Sequence, residues 1–457
     1  MIVLKKAPQP KRETGLVPVM LTDKTMEQRR KRLLDLMKQE CFDALVIYAD
    51  LEHGSNFEYL AGFLPRFEEA LLILFSDGSA SMVLGNENLN KAGKARLPVK
   101  AVHMPHFSLP NQPMETDKTV PEILAETGIG GAKKIGLAGW KRFTSRLEDN
   151  ALLTELPHFV VEGLKTVCPD SKLIHAGHLF FGDGGARTVC NANELAHYEC
   201  GAALAGQCMM DAMDAVAVGA REMDVAGYLS AGGQHHSVVS IMAAGERFVK
   251  ANLYPTAKRI ALGDRLSLTT GYKGGLQSRG GYAVHTAEEL PEGERDWLGR
   301  VAKPYFGAIA VWLEALKIGL PGGELYETVD AVLPKAEYGW TLNPGHLCAD
   351  EEWLASPIYP GSRERLKSGM ILQFDIIPSV PGYGGASCEG GIALADAELR
   401  AELQREYPEL WQRFTERRRY MKAALGIDLP EEVLPMANAS AYFRPFLLDQ
   451  ETVLAQE

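Results

Sequence analysis

The sequence predicts two domains, the first α/β and the second α+β. Three observations predict this. The chain has 457 residues, more than one ordinary core accommodates. Up to about residue 180, short apolar runs alternate with helical patterns, as in an α/β domain. Beyond Phe181-Gly-Asp-Gly-Gly185, where glycines and an aspartate punctuate the chain, long helical patterns separate fewer strands, as in an α+β domain.

The elements follow in order. Thr25-x-x-Gln28 reads as a capping box opening a helix with Leu33, Leu34, Leu36 and Met37 on one side. Ala44 to Ala49 is a short apolar run and reads as a buried strand. Leu71 to Phe75 and Ala80 to Leu84 flank Asp77-Gly78, a strong hairpin signal. Val99 to Met104 and Ile135 to Ala138 read as further strands, and Pro121 to Glu126 as a helix. In the second half, Asn193 to Val216 is a long helix rich in alanine and methionine, and Glu222 to Leu229 starts another. Leu266 to Thr270 and Met370 to Ile377 are strand-like, with helical patterns near 295–318 and 398–425. From Gly426, Pro430, Pro435 and Pro445 point to an extended tail. The expected division is 1–180, 181–425 and a tail of 426–457.

Composition narrows the function. Apolar residues make up 46% and charged residues 23%, an ordinary globular balance. The formal net charge of -11 gains nothing from counterion release, which argues against a nucleic-acid partner. No apolar run is long enough to cross a bilayer, and the start MIVLKKAPQPKR is too short in apolar residues for a signal peptide. The seven cysteines include no CxxC pair, so a reducing, cytoplasmic compartment is expected.

Polar residues in strand-like or glycine-rich contexts concentrate in three stretches of the second half. These are Asn343-Pro-Gly-His346, the run Gly369 to Pro378 with Asp375 at its centre, and Gly384-Gly-Ala-Ser-Cys-Glu389-Gly-Gly391. A carboxylate between Phe374 and Ile376 needs a partner. Each residue alone reads as a structural group. The glycines around His346 and Glu389, which let backbone or substrate approach closely, favour one pocket built from His346, Asp375 and Glu389. Cys348 and Cys388 flank two of these positions. A Cys–His pair suits nucleophilic catalysis, but small buried thiols are common in cores, and that reading is preferred. His235-His236 reads as surface, because adjacent side chains diverge. Glu351 and Glu352 read as rim charges.

The order of these phrases resembles the pita-bread metallopeptidase family: methionine aminopeptidase, aminopeptidase P, prolidase and the metal-free relative creatinase. Asn56-Phe-Glu-Tyr-Leu-Ala-Gly-Phe63 resembles a phrase of the N-terminal domain in the creatinase and prolidase branch. The resemblance covers nearly the whole chain. It implies an α/β creatinase-like N-terminal domain, an α+β pita-bread C-terminal domain and a homodimer with pockets near the subunit interface.

The chain departs from the family at its metal site. Family peptidases hold two ions with two aspartates, a histidine and two glutamates. The resemblance places the first aspartate at Thr269 and the second within Ser278-Arg279-Gly280, where no acid stands. His346 and Glu389 match, and Asp375 shortens a glutamate. Two further family histidines fall at Trp353 and near Asn252. A co-catalytic ion pair needs bridging carboxylates, so a metal-free site is expected, with His346 and Glu389 as acid and base and Asp375 fixing the imidazole. Leu266-Ser-Leu-Thr-Thr270 resembles the matching creatinase phrase. The expected activity is hydrolysis of a C–N bond in a small polar, carboxylate-bearing substrate. Arg279, Trp353, Asn252 and Thr269 are the expected substrate contacts, Arg279 either binding a substrate carboxylate or pairing with Asp375 or Glu389, and Arg66 either reaches in from a second subunit, as the resemblance implies, or is simply solvated. Two alternatives stand beside it. One is a peptidase of the Xaa-Pro type holding one Mn, Fe, Co or Zn ion on His346, Asp375 and Glu389. The other is a non-catalytic binding protein on an enzyme fold.

Overall fold

The computed structural model describes residues 1–250 and 253–457. The chain divides into two units, one of residues 21–188 and one of residues 1–20 with 189–457. The division therefore falls three residues beyond the glycine-rich punctuation at 181–185. The first twenty residues join the second unit, because β1 (Ile2–Lys6) pairs with a strand at the opposite end of the chain.

The 21–188 unit is a six-stranded mixed sheet flanked by helices. Its strands are β2 (Ala44–Ala49), β3 (Ala70–Phe75), β4 (Ala80–Leu84), β5 (Lys100–His103), β6 (Lys134–Ala138) and β7 (Lys172–His175), in the order β5-β4-β3-β2-β6-β7. β2 and β3 are fully buried apolar runs, apart from the half-buried end Phe75, as central strands covered on both faces should be. Gly78, at φ +87°, closes the β3–β4 hairpin at the Asp77-Gly78 signal. The first helix runs Asp23–Gln39. Its cap is Thr22, whose hydroxyl accepts from the Thr25 amide at 3.2 Å. The expected box at Thr25 lies inside the first turn, because Asp23 and Lys24 are already helical.

The other unit has a seven-stranded sheet. Its strands are β8 (Ile241–Ala244), β9 (Arg265–Tyr272), β10 (Gly275–Tyr282), β11 (His346–Leu347), β12 (Ile371–Phe374), β13 (Ser387–Leu394) and β14 (Val433–Pro435). The order is β11-β12-β13-β10-β9-β8, with β14 on β13. The long helix Ala192–Asp214 packs on the β9–β10 hairpin. A Cβ at Gly201 would stand 2.1 Å from the Lys273 carbonyl, so only glycine allows this approach. The pattern at 398–425 is two helices, Ala397–Glu406 and Pro408–Leu425, with the second started by its proline.

The stretch 426–457, expected as an extended tail, is core. β14 extends the large sheet, and β15 (Thr452–Gln456) pairs antiparallel with β1. Leu434, Met436, Tyr442, Phe443 and Leu454 are buried. The prolines limit helix in this stretch, but its apolar side chains still require burial. A charged cluster underlies it. Glu199, fully buried, accepts from Arg413 and Arg417, and Arg417 also binds Glu13 at 2.6 and 2.8 Å.

Candidate active site

Strand register assembles the site. Ser278 on β10 lies opposite Thr269 on one side and Glu389 on the other. His346 on β11 lies opposite Gln373, and Asp375 directly follows β12. Gly345 must precede the histidine. At φ +142° a Cβ there would stand 2.9 Å from the Gln373 carbonyl and 3.1 Å from the Trp312 ring.

The structure brings the three expected residues together. His346 is 0% exposed, Asp375 4% and Glu389 7%. His346 Nδ1 lies 3.2 Å from the Leu347 carbonyl. A carbonyl only accepts, so Nδ1 carries the proton and Nε2 keeps a lone pair. Nε2 is 3.9 Å from Asp375 Oδ2, too long for the direct hydrogen bond expected to fix the imidazole. Nε2 and Asp375 Oδ1 are buried without a hydrogen-bond partner.

Glu352, expected at the rim, is a fourth member. Its Oε1 lies 3.5 Å from His346 Nε2, and its side chain is 25% exposed. Trp353 stacks on the His346 ring, with centroids 4.2 Å apart and planes at 21°. Residues 351 and 352 are consecutive acids, and nothing in their spacing distinguishes the one that turns inward.

Burial dominates the electrostatics. It pushes Glu352 up to about 7, with Asp375 adding to the effect, and pushes Asp375 up to about 6. Burial raises Glu389 well above the usual carboxyl range, reinforced by Asp375 and Glu352. Burial lowers His346 to about 4. Asp375 and Glu389 perturb each other, Glu389 holding Asp375 down and Asp375 pushing Glu389 up, so the pair resists carrying two negative charges at once. Burial therefore keeps the imidazole neutral near neutral pH and disfavours a second negative charge on the Asp375 and Glu389 pair.

At the two positions matched to family aspartates, the structure has hydroxyls bonded in a chain. Thr269 Oγ1 lies 3.0 Å from Ser278 Oγ, Ser387 Oγ lies 3.0 Å from Ser278 Oγ, and Ser387 donates to Glu389 Oε1 at 3.2 Å. Thr269 thus reaches Glu389 only through two serines. Among the described residues, no group of three or more His, Cys, Asp or Glu side chains is arranged to hold an ion. A two-ion centre does not fit this donor set, because no carboxylates bridge from the β9–β10 side.

Arg279 is not a ligand-facing residue. It is 1% exposed, and all five of its N–H groups bond within the protein. Nε donates to Tyr442 O at 2.9 Å, Nη1 to Ser278 O at 2.6 Å and Glu389 O at 2.8 Å, and Nη2 to Gln277 Oε1 at 3.1 Å and to Ala439 O. Strand alternation turns Arg279 to the face opposite Ser278. Arg66 lies in the 21–188 unit, exposed, with its guanidinium 5.4 Å from the Phe67 ring centre. Asn252 lies outside the described residues. Cys348 and Cys388 are buried thiols held up by desolvation. His236 is half-buried and stacks on Tyr272 at 4.7 Å, while His235 is exposed.

Comparison with known proteins agrees with this architecture. Residues 29–180 match the creatinase/prolidase N-terminal domain family. A search of curated protein sequences found no match. Among solved structures, the chain is similar to an Xaa-Pro dipeptidase from Bacillus anthracis, at 17% identity and a TM-score of 0.61, covering 82% of this chain and 96% of that one. It is similar to the prolidase from Pyrococcus horikoshii, at 18% identity and a TM-score of 0.60, covering 80% and 95%. The recombinant prolidase from Thermococcus sibiricus gives 17% identity and a TM-score of 0.63, covering 81% and 95%. Residues 29–180 thus match the creatinase/prolidase N-terminal domain, and the chain has the two-domain pita-bread fold of the prolidase and Xaa-Pro dipeptidase structures.

Proposed function

We propose that this protein hydrolyses a C–N amide bond of a small substrate by acid–base catalysis, without a resident metal ion. The observation that carries this reading is the burial of Asp375, Glu389 and His346 together, with His346 Nε2 3.9 Å from Asp375 Oδ2 and burial raising both carboxyls. Two carboxyls that share a proton provide a base and an acid in one site. Asp375, assisted by the Nε2 lone pair of His346, removes a proton from water. The water oxygen bonds to the carbonyl carbon, Glu389 delivers its proton to the leaving nitrogen, and the C–N bond breaks to give an acid and an amine. The hydroxyl chain through Ser387 holds Glu389 in place.

The test is turnover of a panel of small amides, Xaa-Pro dipeptides included, with and without chelator. Asp375→Asn and Glu389→Gln are each expected to lower kcat/KM by about a hundredfold or more. Undiminished turnover in both variants refutes the reading, as does failure to cleave any C–N bond.

A second reading is favoured by the two unbonded acceptors, His346 Nε2 and Asp375 Oδ1. In it, His346, Asp375 and Glu389 would hold one divalent ion, which would supply Lewis-acid chemistry for a peptidase of the Xaa-Pro type. Stoichiometric metal in protein purified without chelator, with activity lost on its removal, selects this reading. A homodimer in which Arg66 serves the partner's pocket completes the proposal. Mass measurement in solution tests the dimer, and Arg66→Ala tests the contribution across it. The seven cysteines, with no CxxC pair among them, fit a cytoplasmic setting.

A further inference from the structure

His236 lies in the loop ahead of β8 and is built into a second polar arrangement. Its Nε2 is 2.9 Å from Ser230 Oγ, and its Nδ1 is 3.4 Å from Thr270 Oγ1. The tautomer follows from the neighbours. Thr270 Oγ1 gives its single proton to the Leu229 carbonyl at 2.7 Å, so toward Nδ1 it only accepts. Nδ1 therefore carries the ring proton, and Nε2 keeps the lone pair that accepts from the Ser230 hydroxyl. Burial holds His236 below its ordinary value, partly offset by the Gly271 carbonyl, and so keeps the ring neutral. Stacking on Tyr272 fixes the ring plane, with centroids 4.7 Å apart and planes at 27°. Tyr272 also ties down the chain on both sides of the serine. Its hydroxyl accepts from the Ala231 amide at 2.9 Å and donates to the Leu229 carbonyl at 3.3 Å. Thr270 and Tyr272 project to the face of β9 opposite Thr269, so this arrangement is separate from the hydroxyl chain that reaches Glu389. Ser230 itself is exposed. Between it and His236 the loop turns on Gly232 and Gly233, at φ +62° and +63°, a conformation that glycine adopts without strain. Among the described residues, the amides of these two glycines donate to no backbone carbonyl. The same loop borders a cavity of about 260 Å³ with Leu16, Pro18, Leu204 and Tyr272.

We propose that Ser230 and His236 form a second catalytic site, a serine–histidine pair that cleaves esters of small uncharged acyl groups. It goes beyond the amide hydrolysis assigned to Asp375 and Glu389 and does not rest on it. Ser230 Oγ bonds to the ester carbonyl carbon as His236 Nε2 takes the hydroxyl proton, and the carbonyl π electrons move to oxygen. The amides of Gly232 and Gly233 are the donors for that oxyanion. As the carbonyl re-forms, the C–O bond to the alcohol breaks and the imidazolium gives its proton to the leaving oxygen. Water then adds to the acyl-serine while His236 takes its proton. The proton returns to Ser230 Oγ as the acid is released. A threonine hydroxyl stands on Nδ1 where stronger triads have a carboxylate. The base is correspondingly slow, which suits an ester, because an alcohol leaves more readily than an amine. Leu16, Pro18 and Leu204 give the acyl group an apolar lining.

The test treats the full chain, in chelator, with diisopropyl fluorophosphate and with p-nitrophenyl acetate. Ser230 Oγ displaces fluoride from phosphorus, so peptide mapping by mass spectrometry is expected to find the diisopropylphosphoryl group on Ser230. Nitrophenolate release from the ester is expected to fall to the rate of free imidazole in Ser230→Ala, a change at an exposed position that leaves the fold alone. His236→Gln is expected to slow labelling by about a hundredfold or more. A label on another residue overturns the proposal, as does no label at all or an unchanged labelling rate in a folded His236→Gln. Where His236→Gln does not fold, Ser230→Ala decides alone, and ester cleavage at the wild-type rate in it overturns the proposal. The two sites fail separately. In Asp375→Asn the label is expected to remain on Ser230, and its loss there would assign the reaction to the first site and overturn the second.

Discussion

Arg279→Met should destabilise the larger unit severely while leaving ligand chemistry to the other residues. The guanidinium is 1% exposed and donates five hydrogen bonds, four to backbone carbonyls and one to Gln277. These carbonyls belong to Ser278, Glu389, Ala439 and Tyr442, so one side chain ties β10 and β13 to the 439–442 segment. Methionine fills much of the volume and supplies no donor. Each stranded carbonyl costs about 1 kcal/mol, so the total is about 4–5 kcal/mol, a large part of a typical domain stability of about 5–15 kcal/mol. Arg279→Lys keeps the charge but has at most three donors, and should cost about 2 kcal/mol. Urea unfolding followed by tryptophan emission is a suitable assay, because of the six tryptophans only Trp140 lies in the 21–188 unit. A loss below about 1 kcal/mol for Arg279→Met would refute the reasoning. So would a folded variant of normal stability whose ligand affinity collapses, since that would return Arg279 to the substrate.

Three further outcomes follow from the same structure. Glu352 is raised in the folded state to about 7 from 4.5, so the stability it contributes is complete below about pH 4.5 and is lost as pH rises through about 7. Glu352→Gln should therefore match the wild type near pH 4 and exceed it by about 3 kcal/mol at pH 8. His346, depressed to about 4, acts in the opposite sense, losing stability as pH falls from its ordinary value toward 4. It is present in both proteins and cancels in the difference, and an unchanged difference across pH would exclude a raised Glu352. Glu199→Gln leaves Arg413 and Arg417 without their shared buried partner and should cost about 3–5 kcal/mol in the same urea assay; a change under about 1 kcal/mol would count against the cluster. Ser278→Ala removes the hydroxyl that bridges Thr269 and Ser387 and should cost about 1–2 kcal/mol, whereas a neutral effect would mean that the chain is not formed in solution.

The sequence by itself determined the elements whose signal is local. Ala44 to Ala49 and the Asp77-Gly78 hairpin are apolar runs and turn chemistry that act over a few residues, and the structure has them in place. The order of Gly-His, strand acid and terminal glutamate also picked out His346, Asp375 and Glu389, which lie on or directly after the neighbouring strands β11, β12 and β13. What tertiary structure alone decided depends on contacts distant in sequence. The proline-bearing stretch after Gly426 became core because β1, more than four hundred residues away, pairs with β15. Arg279 became a structural clamp because alternation along β10 turned it from the face of Ser278 toward the carbonyls of Ala439 and Tyr442. Glu352 joined the site because the segment after β11 folds back over His346 and places the indole of Trp353 on its ring. A charge in the sequence has no environment until the chain closes around it, and the sign of this pocket, acidic rather than basic, was settled by which side chains found partners elsewhere.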